Sequence, residues 1–201
     1  MTNIFVSKIP QTFDIQRSVE AFKNGFPASG NEKYLDGILQ KKSDAAKALS
    51  LYAMYILLAG LSILKTDTES LTLKKTPNGK PYFENEELHF SISHDKDSVC
   101  VAISDSNIGV DMQSERPSLR DGKISNRYFA DSEKAQICDN KITPLSLWTR
   151  KEAYVKLCDI ALPDVISHAL PDDVFFASTT WKEFEISLAS YGVDEISVFE
   201  I

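Results

Sequence analysis

Cysteine is scarce in this 201-residue chain. There are three (Cys100, Cys138, Cys158), an odd number, widely spaced and with no C-x-x-C pair. A disulfide scaffold is excluded, and a zinc ribbon or a redox pair lacks its ligands. Cys100 lies within Val99-Cys100-Val101-Ala102-Ile103, where it reads as a small buried apolar residue. Histidine is equally scarce, at three, and none is spaced as H-E-x-x-H, so zinc hydrolysis has no signature here. Neither G-x-G-x-x-G nor G-x-S-x-G occurs, and Gly79-Lys80 is followed by proline, which rules out a nucleotide P-loop. Basic charge is in deficit: 22 Lys and Arg stand against 29 Asp and Glu, for a net charge of −7. Such a surface gains nothing from counterion release on a polyanion, so no partnership with nucleic acid or an anionic membrane is expected. The opening MTNIFVSKIP lacks the charged start and apolar run of a signal peptide, and with the cysteine usage this points to the cytoplasm. One uncharged stretch, Ala48 to Leu64, falls short of the roughly 20 residues of a spanning helix and contains two serines, a glycine and two tyrosines. It reads as a helix buried on most of its circumference.

What is present is ordinary globular composition, 43% apolar and 25% charged, which excludes disorder or a collagen-like repeat as a description of the whole chain. Ile4 to Ile9 predicts a strand, and Leu35, Ile38 and Leu39 have helical spacing. Ser43 is placed to cap the long helix, and Thr76 to Pro81 is a turn cluster. Strands are expected from His89 to Ser93 and, apolar on both faces, from Ser98 to Ser104. After the turn at Asp105-Ser106-Asn107 the order repeats: a strand at Ile108–Met112, mostly helix from Ser125 to Asn140, then a helix from Pro144 to about Cys158 capped by Thr143. Lys182 to Leu188 alternates, with Phe184, Ile186 and Leu188 expected inside and Glu183, Glu185 and Ser187 outside; Glu195 to Ile201 is the last strand. The pattern predicts an α+β protein of two similar lobes, 1–105 and 106–201, each with helices on a small antiparallel sheet, and a ligand site in the cleft between them.

Several residues carry candidate chemistry, and each has a plain alternative. Ile108-Gly109-Val110-Asp111 ends a short strand in a carboxylate that could equally form a turn. In Trp148-Thr149-Arg150-Lys151-Glu152-Ala153-Tyr154-Val155-Lys156, Trp148, Glu152 and Lys156 share a helical face. Glu152 and Lys156 are either a surface pair worth about 0.2–0.5 kcal/mol, or a metal-binding, proton-accepting carboxylate followed one turn on by a phosphate-neutralising ammonium. Lys80 sits in a tight turn, His94 ends a strand beside Ser93, and Lys47 lies in the first turn of the long helix, where free N–H groups favour anions.

Taken together and in order, G-K-P, S-x-S-H 14 residues after the lysine, I-G-V-D 17 residues after the histidine, and W-x-x-K-E-x-x-x-K resemble the 4′-phosphopantetheinyl transferase family. The nearer resemblance is to its long, two-lobed, surfactin-synthetase-activating type, and it runs from about Lys47 to Lys156. It implies a pseudo-dimeric fold, a Mg²⁺-dependent transfer of phosphopantetheine from coenzyme A to a serine of an acyl or peptidyl carrier protein, and release of 3′,5′-ADP. By the same resemblance Asp111 and Glu152 would hold Mg²⁺, Glu152 would also be the general base, and Lys156 would stabilise charge on the transferring phosphate. Lys80, Pro81, Ser93 and His94 would bind the coenzyme, with Lys47 near its 3′-phosphate and Lys33 and Lys41 as further amino-terminal contacts. A monomer is expected, since two lobes already build one cleft.

One position departs from the pattern. Members of this type often carry D-x-E, and this chain has Asp111-Met112-Gln113. Gln113 could offer the metal a neutral carbonyl oxygen or hold a metal-bound water, at the cost of a greater Mg²⁺ requirement. Because such carrier proteins are typically acidic, as this chain is, docking would need a local basic patch, for which Arg116, Arg120, Lys123 and Arg127 are candidates. The rival readings are a non-catalytic coenzyme A-binding or regulatory protein of the same fold, supported by Gln113, and an interaction protein in which the motifs are coincidental.

Overall fold

The computed structural model describes residues 1–84, 87–120, 127–192 and 195–201, the Arg120 side chain excepted. Two compact units emerge, 1–106 with 195–201, and 107–194.

The first unit is built on a four-stranded sheet. Strand β1 (Thr2–Lys8) is followed by helices α1 (Ile15–Gly25), α2 (Asn31–Leu39) and α3 (Asp44–Ile63), a small pair β2 (Leu73–Lys75) and β3 (Pro81–Phe83), then β4 (His89–Asp95) and β5 (Ser98–Ser104). Asp14 caps α1 by accepting from Gln16 N and Arg17 N, and Ser43 caps α3 by accepting from Ala46 N at 3.2 Å. Thr76 N donates to Lys80 O at 2.9 Å and Gly79 takes φ +90, so the expected turn is closed where only glycine is unstrained. Helix α3 is long and apolar enough to cross a membrane by length and composition, with a mean hydropathy of 1.6. Here it is the core helix of its unit: Leu51, Ile56, Leu57 and Leu61 are buried against Phe5, Val101 and Ile103. Each such side chain contributes about 1.5–3 kcal/mol by leaving water.

Two sequence expectations need correction in this unit. β4 runs on to Asp95, so His94 is an interior strand residue that points away from buried Ser93. The final segment, assigned by the sequence to the second half, forms β9 (Ile196–Glu200), which pairs in parallel with β1, Ile4 opposite Val198. The sheet is therefore mixed, in the order β4-β5-β1-β9, rather than purely antiparallel.

The second unit is a three-stranded antiparallel sheet, β6 (Ile108–Ser114), β8 (Phe184–Ser190) and β7 (Phe175–Trp181) in that order, with helices α4 (Pro117–Arg120), α5 (Asp131–Cys138) and α6 (Pro144–Cys158). The helical stretch expected from Ser125 becomes α5 only at Asp131; its first two residues lie outside the described residues. Thr143 caps α6 by accepting from Ser146 N at 3.0 Å, with Pro144 at the first helical position. The in-and-out alternation of this segment holds for buried Phe184, Ile186 and Leu188 and for exposed Glu183, and fails at Ser187. Ser187 is fully buried, its hydroxyl 2.7 Å from that of Thr149 on α6 and 3.0 Å from that of Ser178. The strand is covered on both faces, and its polar residues use small hydroxyls to satisfy one another.

Candidate active site

The site grows from the contact of α6 with β6. A Cβ built on Gly109 would lie 1.9 Å from Ala153 O and 2.5 Å from Leu157 N. Only glycine at this strand position lets the helix backbone lie directly on the strand. Asn107 Nδ2 adds a 2.9 Å bond to Leu157 O, tying the last turn of α6 to the start of β6. No rotamer relieves a clash with backbone atoms, so Gly109→Ala is expected to destabilise the protein by about 1–3 kcal/mol or more. A thermal melt reads this directly, and an unchanged melting temperature would contradict the packing.

Asp111 stands two residues beyond Gly109, on the same face of β6 and hence toward α6. Lys156 reaches it from the helix: its Nζ donates to Asp111 Oδ1 and to Val110 O, each at 2.9 Å. Glu152, one turn earlier on α6, is partly buried. Burial raises its pKa, the Asp111 charge raises it further, and Lys156 and Arg116 pull the other way. Asp111, Glu152 and Lys156 are thus brought into one electrostatic cluster.

Gln113 follows Asp111 on the same face and is 7% exposed. Arginine has only donors, so the amide is oriented with its oxygen toward Arg116, where it accepts from Nη2 at 2.5 Å and Nε at 2.6 Å. Among the described residues no three His, Cys, Asp or Glu side chains gather to hold a metal ion. A cation here would rely on two carboxylates completed by water or substrate oxygens. That donor set suits Mg²⁺, which keeps several waters and uses few protein ligands.

The neighbouring Lys151, given no separate role by the sequence, is the most buried charge among the described residues of the unit. Its Nζ lies 2.9 Å from Glu133 Oε2 and donates to His168 O at 2.5 Å. Glu133 in turn accepts from Ala130 N at 2.9 Å and Leu170 N at 3.1 Å. This network ties α5 and the segment 165–170 to α6 one residue from Glu152. Its sequence signal, a lysine next to a glutamate, is indistinguishable from a solvated pair.

The expected coenzyme residues lie in the first unit. Pro81, Gly79 and His94 line a cavity of about 210 Å³ together with Lys41, Lys75 and Tyr34. Burial lowers the pKa of Lys41, as does the charge of Lys75. Lys47, Lys80, Ser93 and Lys33 are not on its wall. Lys47 pairs with Asp44 at 2.9 Å, Ser93 is buried, and Lys33 lines a separate hollow of about 320 Å³ with Lys74 and Lys75. Of the candidate docking patch, Arg127 lies over the Tyr128 ring at 5.3 Å and Arg116 binds Gln113, while Lys123 and the Arg120 side chain lie outside the described residues.

Comparison with known proteins follows the same division of the chain. Residues 107–197 match the family model of the 4′-phosphopantetheinyl transferase superfamily. The chain is 35% identical over 103 residues to the 4′-phosphopantetheinyl transferase gsp of Aneurinibacillus migulanus, covering 48% of this chain and 41% of that protein. It is 30% identical over 95 residues to the 4′-phosphopantetheinyl transferase psf-1 of Bacillus pumilus, covering 44% and 40%. With a 4′-phosphopantetheinyl transferase of Bacillus subtilis it shares 29% identity over 141 residues, 66% of this chain and 62% of that one. The chain thus spans between two fifths and somewhat under two thirds of the length of these relatives. The family match runs through the segment that carries Asp111, Glu152 and Lys156, so this part of the chain is similar to the 4′-phosphopantetheinyl transferase superfamily.

Proposed function

We propose that this chain transfers the 4′-phosphopantetheine group of coenzyme A to a serine of an acyl or peptidyl carrier protein, with Mg²⁺ required and 3′,5′-ADP released. The observation that carries the reading is the cluster of Asp111, Glu152 and Lys156, held together because Gly109 lets α6 rest on β6. Asp111 and Glu152 hold Mg²⁺, which supplies neutralising charge to the diphosphate of the coenzyme when bound. Glu152, with its raised proton affinity, accepts the hydroxyl proton of the carrier serine, directly or through a water. The serine oxygen forms the new bond to the phosphorus that bears pantetheine, and the bond from that phosphorus to the bridging oxygen breaks, leaving the bridging electron pair on 3′,5′-ADP. Lys156 presents its ammonium to the charge that develops on the phosphate. A positioned base of this kind contributes about 10²–10⁴-fold.

Pro81 and His94, with Lys41, are proposed to take the nucleotide end of the coenzyme, and Lys47, Lys80 and Ser93 to complete its phosphate contacts. Arg127 is proposed to meet the acidic carrier, with Arg120 and Lys123. The enzyme acts as a monomer in the cytoplasm, a setting consistent with free Cys100, Cys138 and Cys158.

The second reading, a coenzyme A-binding protein without turnover, is favoured by one observation: the Gln113 carbonyl is engaged by Arg116. Incubating the chain with an apo carrier protein, coenzyme A and Mg²⁺ separates the two. A carrier mass gain of one phosphopantetheine supports transfer, and coenzyme A binding with no mass gain supports the second reading.

A further inference from the structure

The reaction as proposed leaves Arg116 unused, although it is bonded to Gln113 and its charge reaches Glu152. Asp111 and Gln113 share the α6-facing side of β6. Gln113 is buried, and both guanidinium bonds converge on its single carbonyl oxygen. The guanidinium is therefore held in place by the strand, and its charge acts on Glu152 in the same sense as that of Lys156. Lys156 is itself bonded to Asp111 at 2.9 Å. The two carboxylates, Asp111 and Glu152, are thus already offset by the charges of Lys156 and Arg116. Such a cluster offers little attraction to a free divalent cation. A diphosphate entering it would bring the negative charge that the cluster lacks.

We propose that Arg116, clasped by Gln113, is a built-in counter-cation of the carboxylate site, so that the divalent ion is admitted together with the diphosphate of the coenzyme rather than ahead of it. Gln113 then serves as a positioning residue for Arg116 and not as a metal ligand. This rests on the reading of Asp111 and Glu152 as the metal-holding pair.

The test is Mn²⁺ binding to the purified full chain, followed by electron paramagnetic resonance of the free ion, with and without coenzyme A and with no carrier protein present. Arg116→Met is expected to tighten Mn²⁺ binding about tenfold in the absence of coenzyme, since one repelling charge is gone. With coenzyme bound the gain should shrink severalfold. Arg116→Gln, which stays polar at this exposed position, should behave alike and stands in if the methionine variant folds poorly. Arg116→Lys should stay near wild type. No tightening in either neutral variant would overturn the proposal, and an equal gain with and without coenzyme would overturn the order of binding. Adding Asp111→Asn to the Arg116→Met chain separates the underlying reading. If Mn²⁺ binding survives that change undiminished, the carboxylates are not the metal-holding pair. If it is lost while Arg116→Met alone matches wild type, only the counter-cation role fails.

Discussion

Glu152→Gln should abolish carrier modification while leaving the chain folded. The amide removes the proton acceptor, a loss of about 10²–10⁴-fold by itself, and one of the two carboxylates available to a metal. The fold has little reason to suffer. Glu152 is partly buried, and burial together with the neighbouring Asp111 charge already disfavours its ionised form. A neutral isostere relieves that repulsion instead of creating an unpaired buried charge. Single-turnover transfer measured by carrier mass, beside a thermal melt of the same preparation, reads both halves of the expectation. Full transfer activity would remove Glu152 from the chemistry, and a collapse in melting temperature would make it a structural residue.

Lys151→Met should have the largest effect on stability. Lys151 and Glu133 side chains are only 1% and 4% exposed, and both are fully engaged. Removing the ammonium leaves the Glu133 carboxylate buried with backbone donors alone, at a cost of about 3–5 kcal/mol. Burial lowers the Lys151 pKa and the Glu133 charge acts to raise it, so desolvation outweighs the pairing at that lysine. Desolvating two charges is costly, so a buried pair of this kind is expected to add little over apolar packing. Lys151→Met combined with Glu133→Leu should recover most of the loss, as buried ion pairs replaced by well-packed apolar groups often do. Urea titrations of the single and double variants measure this. A double variant as unstable as the sum of its parts would show that the pair organises its surroundings in a way apolar side chains cannot.

The sequence exposed the local rules of the fold and missed the non-local ones. Ser98–Ser104 and Pro144–Cys158 were legible because a doubly apolar run, an N-cap threonine and a proline in the first turn each act over a few residues. The return of Ile196–Glu200 to β1 was not, since parallel pairing across almost the whole chain leaves no mark in local alternation. Ser187 was placed outside because alternation assumes one solvated face, and here a helix covers it. At the site, the spacing of Asp111, Glu152 and Lys156 was visible as a motif. The reason for Gly109 was not, because it depends on the backbone of a helix more than forty residues away. Gln113 read as a weakened ligand and Arg116 as part of a docking patch, and their mutual bond is a side-chain contact that residue spacing does not reveal. Lys151 was hidden by its neighbour, as its partner Glu133 lies on a different helix.

The most direct test of the whole account is a crystal of the full chain soaked with coenzyme A and Mn²⁺, with the ion located by its anomalous scattering. The account predicts one strong peak contacting both the Asp111 and the Glu152 carboxylates and a phosphate oxygen of the coenzyme. A coenzyme-bound crystal in which the ion lies elsewhere, or in which Asp111 makes no contact with it, would contradict it.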